Sequence, residues 1–379
     1  MIGNDAKDYH FLVKFGEDLR QDQRLQQLFT IMNKTLYINA ACRQRQLLID
    51  TYQVIPLSKT MGLIQWIDNT RSLKELIYFT LSTQEINQYN SIIKMYQEWI
   101  QKAAPSKKLV HEKYKEAVVK YNASEVYTKM NEFINKTKWD SLRKTLIVLC
   151  PSIESFIIMR RNFITSYATM CIAHWILGIG DRHLQNTLIV IDSGRCLGID
   201  FGLAFDAGVD QKIPELMPFR LTPQILGLLK PFTEKDLLKT IMIHALRAMR
   251  NEQGPILSCM DIFVHEPLNW TENVNKALKE SEENVTNIEW IPMKKIKAVT
   301  KKLNGIKPSL IILDQLKEQH YDKYFDRYFT IITGNDVIKR KRVKMSDFLT
   351  LEEQVEYLLD QATDLNILGR TFVGWNPWL

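Results

Sequence analysis

Between Thr165 and Gly202 the chain runs through a mostly apolar helix, a glycine-broken loop, a short apolar strand and a second glycine loop. This order constrains the fold more than any other feature. The first loop, Gly178-Ile-Gly-Asp-Arg-His-Leu-Gln-Asn186, carries Asp181, His183 and Asn186. The second, Asp200-Phe-Gly202, follows fourteen residues after Asn186 and closes the strand Cys196 to Ile199. Mg²⁺ takes oxygen ligands and keeps several waters, so one or two protein oxygens per ion suffice. Asp200 is the natural first ligand and the amide oxygen of Asn186 the second. Asp181 is placed to accept or orient a hydroxyl proton, and His183 to share that proton or steady charge on a moving phosphoryl group. An isolated Asp-Phe-Gly says little. Joined to Gly-Asp-Arg-His-x-x-Asn at this spacing, it points to phosphoryl transfer from ATP, which needs positioning and charge neutralisation above all.

Upstream, Phe11 to Phe15 reads as a strand bearing Lys14, and Gly16 to Met32 as a helix with Leu25, Leu28, Phe29 and Met32 on one face. Glu17, Asp18 and Asp22 lie near the helix start, as its dipole favours. A strand lysine beside such acids can hold phosphates through a carboxylate partner, or form a plain surface ion pair; the segment alone leaves both open. Strands are expected over Gln46 to Thr51 and Tyr52 to Leu57, followed by the apolar stretch Gly62 to Ile67. Trp66 there could cover a flat base at a hinge or pack into a core. Residues 72 to 148 read as helical scaffold broken at Pro105 and Ser106, and His174 as a packed core histidine. Residues 203 to 219 form a loop whose only cation is Lys212, against Asp206, Asp210 and Glu215. Helices are expected over Leu237 to Arg250, over Leu257 to Val264 and again from Thr350. Between them, residues 268 to 346 turn polar and charged. The aromatic tail Thr371 to Leu379 is expected to tuck into the large lobe.

The length of 379 residues allows two or three lobes. No apolar run reaches the roughly 18 residues of a membrane span. Five scattered cysteines suggest reduced thiols rather than a disulfide framework. The net charge of +7 is spread thinly apart from Lys339-Arg-Lys-Arg-Val-Lys344, which suits a solvated surface better than a nucleic-acid site.

The order Asp-Arg-His-x-x-Asn differs from the His-Arg-Asp loop of ordinary protein kinases. Together with Phe11-Leu-Val-Lys, Gly16-Glu-Asp-Leu-Arg-Gln-Asp-Gln-Arg24, Gly62-Leu-Ile-Gln-Trp66 and Pro214-Glu-Leu-Met-Pro-Phe-Arg-Leu-Thr222, it resembles the phosphatidylinositol 3-kinase-related protein kinases. The ending Gly-Trp-x-Pro-Trp resembles that family's FATC module. The resemblance implies an α+β, two-lobed kinase fold with a truncated N-lobe and an α-rich C-lobe ending in FATC helices. The implied division is a partial N-lobe over 1–66 and a C-lobe over 67–267, with catalytic loop 178–186 and activation loop 200–222. A regulatory insertion over 268–346 and FATC over 347–379 complete it. It further implies ATP and Mg²⁺ as cofactors, with Lys14 on the phosphates supported by Glu17 or Asp22. Tyr52, Trp66, Ile67, Leu188 and Ile199 would surround the adenine, Asp181 and His183 would be catalytic, and Asn186 and Asp200 would hold metal. The family's phosphate-covering loop precedes the lysine strand and is expected to lie upstream of this chain.

Family members phosphorylate Ser or Thr, typically before Gln. The member most resembled works in the nucleus on broken DNA ends with the Ku heterodimer, in non-homologous end joining, through regions expected outside this chain. No membrane partner is expected. A lipid kinase would need a more basic activation loop. A pseudokinase scaffold would be expected to have lost Asp181, Asn186 or Asp200, and all three are present.

Overall fold

The computed structural model describes residues 2–105, 107–265, 290–318, 324–334 and 347–379. Its first sheet is antiparallel, with strands β1 (Phe11–Phe15), β2 (Val54–Ser58) and β3 (Met61–Gln65) in the order β1-β3-β2. Lys14 sits opposite Gly62 in this register. Helix α1 (Arg20–Ile38) covers the sheet and α2 (Ala40–Gln44) follows it. Leu25, Leu28, Phe29, Met32 and Leu36 recur at three and four residues along α1 and are buried, as an amphipathic helix requires. The expected strand over 46–51 is absent. Asn33 on α1 donates its amide to Ile49 O and accepts from Ile49 N–H, both at 2.8 Å. One side chain satisfies both backbone groups of Ile49, so this segment is held without a ladder partner there.

The second sheet, β4 (Thr70–Ser72), β5 (Thr187–Val190) and β6 (Cys196–Gly198), is antiparallel in chain order. Between β4 and β5 run α3 (Leu73–Phe79), α4 (Thr83–Gln101), α5 (Val110–Lys120), α6 (Ala123–Asn135), α7 (Ser141–Leu149) and α8 (Ile153–Leu177). Capping boxes at Ser72/Glu75, Ser82/Glu85 and Asn122/Glu125 start α3, α4 and α6, each side chain satisfying an otherwise orphaned amide.

Helix α8 is different in kind. From Phe163 to Leu177 nearly every side chain is buried, with no polar face. A helix apolar all round must be enclosed. Here α9 (Pro223–Leu229), α10 (Glu234–Asn251), α7 and β6 pack around it. His174 lies inside this packing against Phe29 and Phe201, and burial pushes its imidazole well below the usual histidine range. It is a core histidine, as the sequence suggested. Helices α11 (Gln253–His265), α12 (Trp290–Leu303), α13 (Pro308–Glu318), α14 (Phe325–Thr333), α15 (Leu351–Ala362) and α16 (Leu365–Leu368) complete the α-rich part. Of the polar stretch 268–346, residues 268–289, 319–323 and 335–346, with the basic stretch 339–344 among them, lie outside the described residues.

The tail is tucked in. Trp375, Trp378 and Leu379 are buried, and Trp378 packs against the rings of Tyr96 and Phe133. Buried Arg220 donates to the carbonyls of Trp375 (2.6 Å), Asn376 (3.0 Å) and Leu379 (3.0 Å), while Tyr96 donates to Thr371 O at 2.6 Å. The fold is α+β and helix-rich, as read from the sequence. Among the described residues no helix is long and apolar enough to cross a membrane.

Candidate active site

Helix α8 ends on Gly178, whose φ of 59° turns the chain into the loop 178–186. That loop and the stretch after Asp-Phe-Gly are stitched together by backbone. Gly180 N–H donates to Leu203 O (2.7 Å), Phe205 N–H to Leu177 O (2.8 Å) and Asp206 N–H to Gly178 O (2.8 Å). Both stretches contain non-glycine residues in the left-handed region: Asp181 at 53°, Asp200 at 57°, Phe205 at 55° and Asp206 at 65°. Each costs about 1–2 kcal/mol. Such strain persists only where the surroundings over-determine it, and two of these four, Asp181 and Asp200, are residues singled out from the sequence.

Arg182 is a large part of that determination. It is buried, donates from Nε to Gly180 O (2.7 Å), from Nη1 to Asn186 O (3.1 Å) and Ile199 O (2.9 Å), and from Nη2 to Asp200 O. Its guanidinium also lies over the Phe201 ring, 5.4 Å from the centroid. One side chain thereby fixes the loop 178–186 to the Asp-Phe-Gly loop. The sequence showed Arg182 only as a letter within the motif. A buried cation with four carbonyl acceptors is a tertiary property with no local signature.

Asn186 is buried, and its Nδ2 donates to Asp181 O at 2.9 Å. The amide nitrogen is committed, so the oxygen is the atom left to coordinate. Asp200 is exposed. These two oxygen donors fit a hard divalent cation that keeps several waters. Among the described residues no group of three or more His, Cys, Asp or Glu forms a metal cluster. His183 accepts from Gln185 N–H at Nδ1 (3.1 Å), and its Nε2 lies 4.0 Å from Asp181 Oδ2. Burial lowers its pKa against the opposing pull of Asp181. A neutral ring accepting at Nδ1 carries its proton on Nε2, on the Asp181 side.

Lys14 pairs with Glu17 at 2.5 Å. Burial alone would lower its pKa, but the Glu17 contact and the fields of Asp200, Glu17 and Asp22 together raise it, so the ammonium stays charged. Lys14 therefore faces the metal-type carboxylate contributed from 186 residues further along the chain. From α1, Gln21 donates to Phe201 O at 2.7 Å and Asp22 accepts from Phe201 N–H at 3.3 Å. Loss of water lifts the Asp22 carboxyl to about 6, against the Phe201 hydrogen bond and the Lys14 charge. Both acids thus stand near Lys14, with Glu17 in contact.

The expected adenine neighbours divide. Trp66 is 55% exposed, which rules out core packing for its ring, whereas Ile67, Leu188 and Ile199 are half-buried. Tyr52 is buried and stacks on Phe201, with centroids 6.4 Å apart and planes 10° apart. The arrangement gathers a cation, two oxygen ligands, a carboxylate and a neutral imidazole at one end of the buried helix. Chemically this can neutralise phosphates and orient a hydroxyl.

Known proteins are similar to this chain along its length. Residues 8–273 match the family model described as phosphatidylinositol 3- and 4-kinase, and residues 348–379 match the FATC domain. The chain is 40% identical over its whole length to the DNA-dependent protein kinase catalytic subunit of Mus musculus. It is 36% identical, over 99% of its length, to the protein of the same name from Dictyostelium discoideum. Against the serine-protein kinase ATM of Sus scrofa the identity is 28% over the whole chain. The chain spans 9% of the length of the first two relatives and 12% of the third.

Proposed function

The chain belongs to the phosphatidylinositol 3- and 4-kinase family, and we propose that it transfers the γ-phosphoryl group of ATP to serine or threonine side chains of proteins. The observation that carries this reading is the convergence of Lys14, Asp22, Asp181, Asn186 and Asp200 from β1, α1 and the two loops. In this reading Lys14, held by Glu17 and kept charged by the nearby Asp22, binds the phosphates. The Trp66 ring, with Ile67, Leu188, Ile199 and Tyr52, forms the adenine wall. Asn186 and Asp200 hold Mg²⁺, which when bound neutralises the phosphate oxygens. Asp181 orients the attacking hydroxyl and takes its proton, while the Nε2–H of His183 steadies charge on the phosphoryl oxygens.

A protein acceptor is favoured over a lipid head group by the loop 203–219, where Lys212 is the only cation in the sequence. The division into a partial N-lobe over 1–66, a C-lobe over 67–267, an insertion over 268–346 and FATC over 347–379 belongs to the same proposal. Similarity to the DNA-dependent protein kinase catalytic subunit supports Ser/Thr-Gln sites as targets. It equally supports a nuclear role in non-homologous end joining alongside Ku and DNA ends. The test is transfer of radiolabelled phosphate from ATP with Mg²⁺ to a Ser-Gln peptide, its Ser-Ala counterpart and vesicles containing phosphatidylinositol 4,5-bisphosphate. Labelling of the Ser-Gln peptide above the other two is expected. Labelling of the vesicles alone would contradict the assignment.

A further inference from the structure

Glu215 lies in the loop after Asp-Phe-Gly, yet its carboxylate turns inward to the backbone of Asp181. The Asp181 N–H donates to both of its oxygens, each at 3.0 Å. The Glu215 backbone that presents it is itself fixed, because Glu215 N–H donates to Gly208 O at 3.0 Å. Two glycines make room for it. A Cβ at Gly180 or at Gly208 would stand 2.6 Å from Glu215 Oε2, inside van der Waals contact.

Among the described residues this half-buried carboxylate has no ion-pair partner, which makes its charge expensive to keep. The positive charge of Arg182 acts on it, but that guanidinium is committed to the carbonyls of Gly180, Asn186, Ile199 and Asp200. Lys302, which lines the same cavity of about 50 Å³, is paired to Asp206 at 2.6 Å. Asp181 itself also acts on Glu215, as a like charge. What the carboxylate does hold is the amide of a residue strained to a φ of 53°. Without that anchor, strain favours relaxation of the Asp181 backbone toward the ordinary right-handed region, carrying its side chain away, with Asn186 Nδ2 on Asp181 O as a remaining tether.

We propose that Glu215 is a positioning residue for Asp181: it clamps the strained Asp181 backbone and makes the geometry of loop 178–186 depend on an ordered loop 203–222. The proposal rests on the reading of Asp181 as the group that orients the acceptor hydroxyl. The test uses the full chain and the variants Glu215→Ala, Glu215→Gln and Glu215→Asp, with two readouts. The first is hydrogen exchange at the Asp181 amide, which needs no activity. In Glu215→Ala it is expected to accelerate about 10- to 100-fold, the factor set by losing a hydrogen bond to a charged group. Helix α8 should keep its native protection, and Glu215→Gln, which keeps one acceptor oxygen, should fall between.

The second readout is steady-state phosphate transfer to the Ser-Gln peptide. The kcat of Glu215→Ala is expected to fall about 100-fold, as misplacement of a reacting group does, with KM for ATP within about two-fold of native. Glu215→Asp should recover part of the kcat and of the Asp181 protection together. Native-rate exchange at Asp181 in Glu215→Ala overturns the clamp whatever the activity. Faster exchange with an unchanged kcat overturns the positioning role. A native chain that transfers no phosphate refutes the kinase reading instead, and the clamp is then judged on exchange alone, with Glu215→Gln as the near-isosteric variant least prone to misfolding.

Discussion

Burial pushes the Glu215 carboxyl up to about 7 from its ordinary 4.5, despite the Asp181 hydrogen bond that favours the charged form. The sign of the linkage follows from the raised value. Below about 4.5 the group is protonated in both folded and unfolded chains, and burial costs nothing in charge. Between about 4.5 and 7 the unfolded chain releases its proton first, so this group's contribution to stability declines as pH rises, by on the order of 3 kcal/mol in all. Glu215→Gln should therefore lack that decline and be at least as stable as native at pH 8, measured by urea midpoints across the range. A variant less stable than native at pH 8 would show that the carboxylate stabilises the fold rather than burdening it. Sequence reading found Asp181 and Asn186 because the loop that joins them is short and its chemistry is local. It saw Glu215 only as an acid opposing lipid head groups, since the inward turn of its side chain depends on a contact spanning 34 residues.

At the scale of elements, the clearest difference between expectation and structure is the segment 46–51. Its apolar residues and length suit a strand, but helix α1 offers Asn33 instead of a neighbouring strand. Removing that side chain leaves both backbone groups of Ile49 unpaired. Asn33→Ala should cost about 1–3 kcal/mol and raise exchange over the segment leading to Tyr52. A loss under a few tenths of a kcal/mol would mean that water replaces Asn33 there. Helix α8 was legible for the opposite reason: the mostly apolar run from Thr165 to Leu177 suits only an enclosed helix, and enclosure puts Gly178 and its loop where the other elements converge.

Across the whole molecule, one continuous core runs from Leu19 to the final residues, and the tail is part of it. The expectation of a tucked tail came from the aromatic content and low charge of residues 371–379. Its anchoring by Arg220, five residues after Glu215, could not be read from spacing. Trp378→Ala should cost about 3–5 kcal/mol, the range for deleting a large buried aromatic side chain, and should lower the calorimetric melting temperature. An unchanged melting temperature would mark the tail as an appendage. The central claim is that Lys14, Asp181, Asn186 and Asp200, far apart in sequence, form one magnesium-dependent phosphotransfer site. The measurement that tests it most directly is γ-phosphoryl transfer from radiolabelled ATP to a Ser-Gln peptide by the native chain and by Asp200→Ala, with Mg²⁺ present and with it chelated. Transfer by the native chain that disappears both in Asp200→Ala and on chelation is the expected result. Transfer that survives in Asp200→Ala, or no transfer by a folded native chain, would contradict the account.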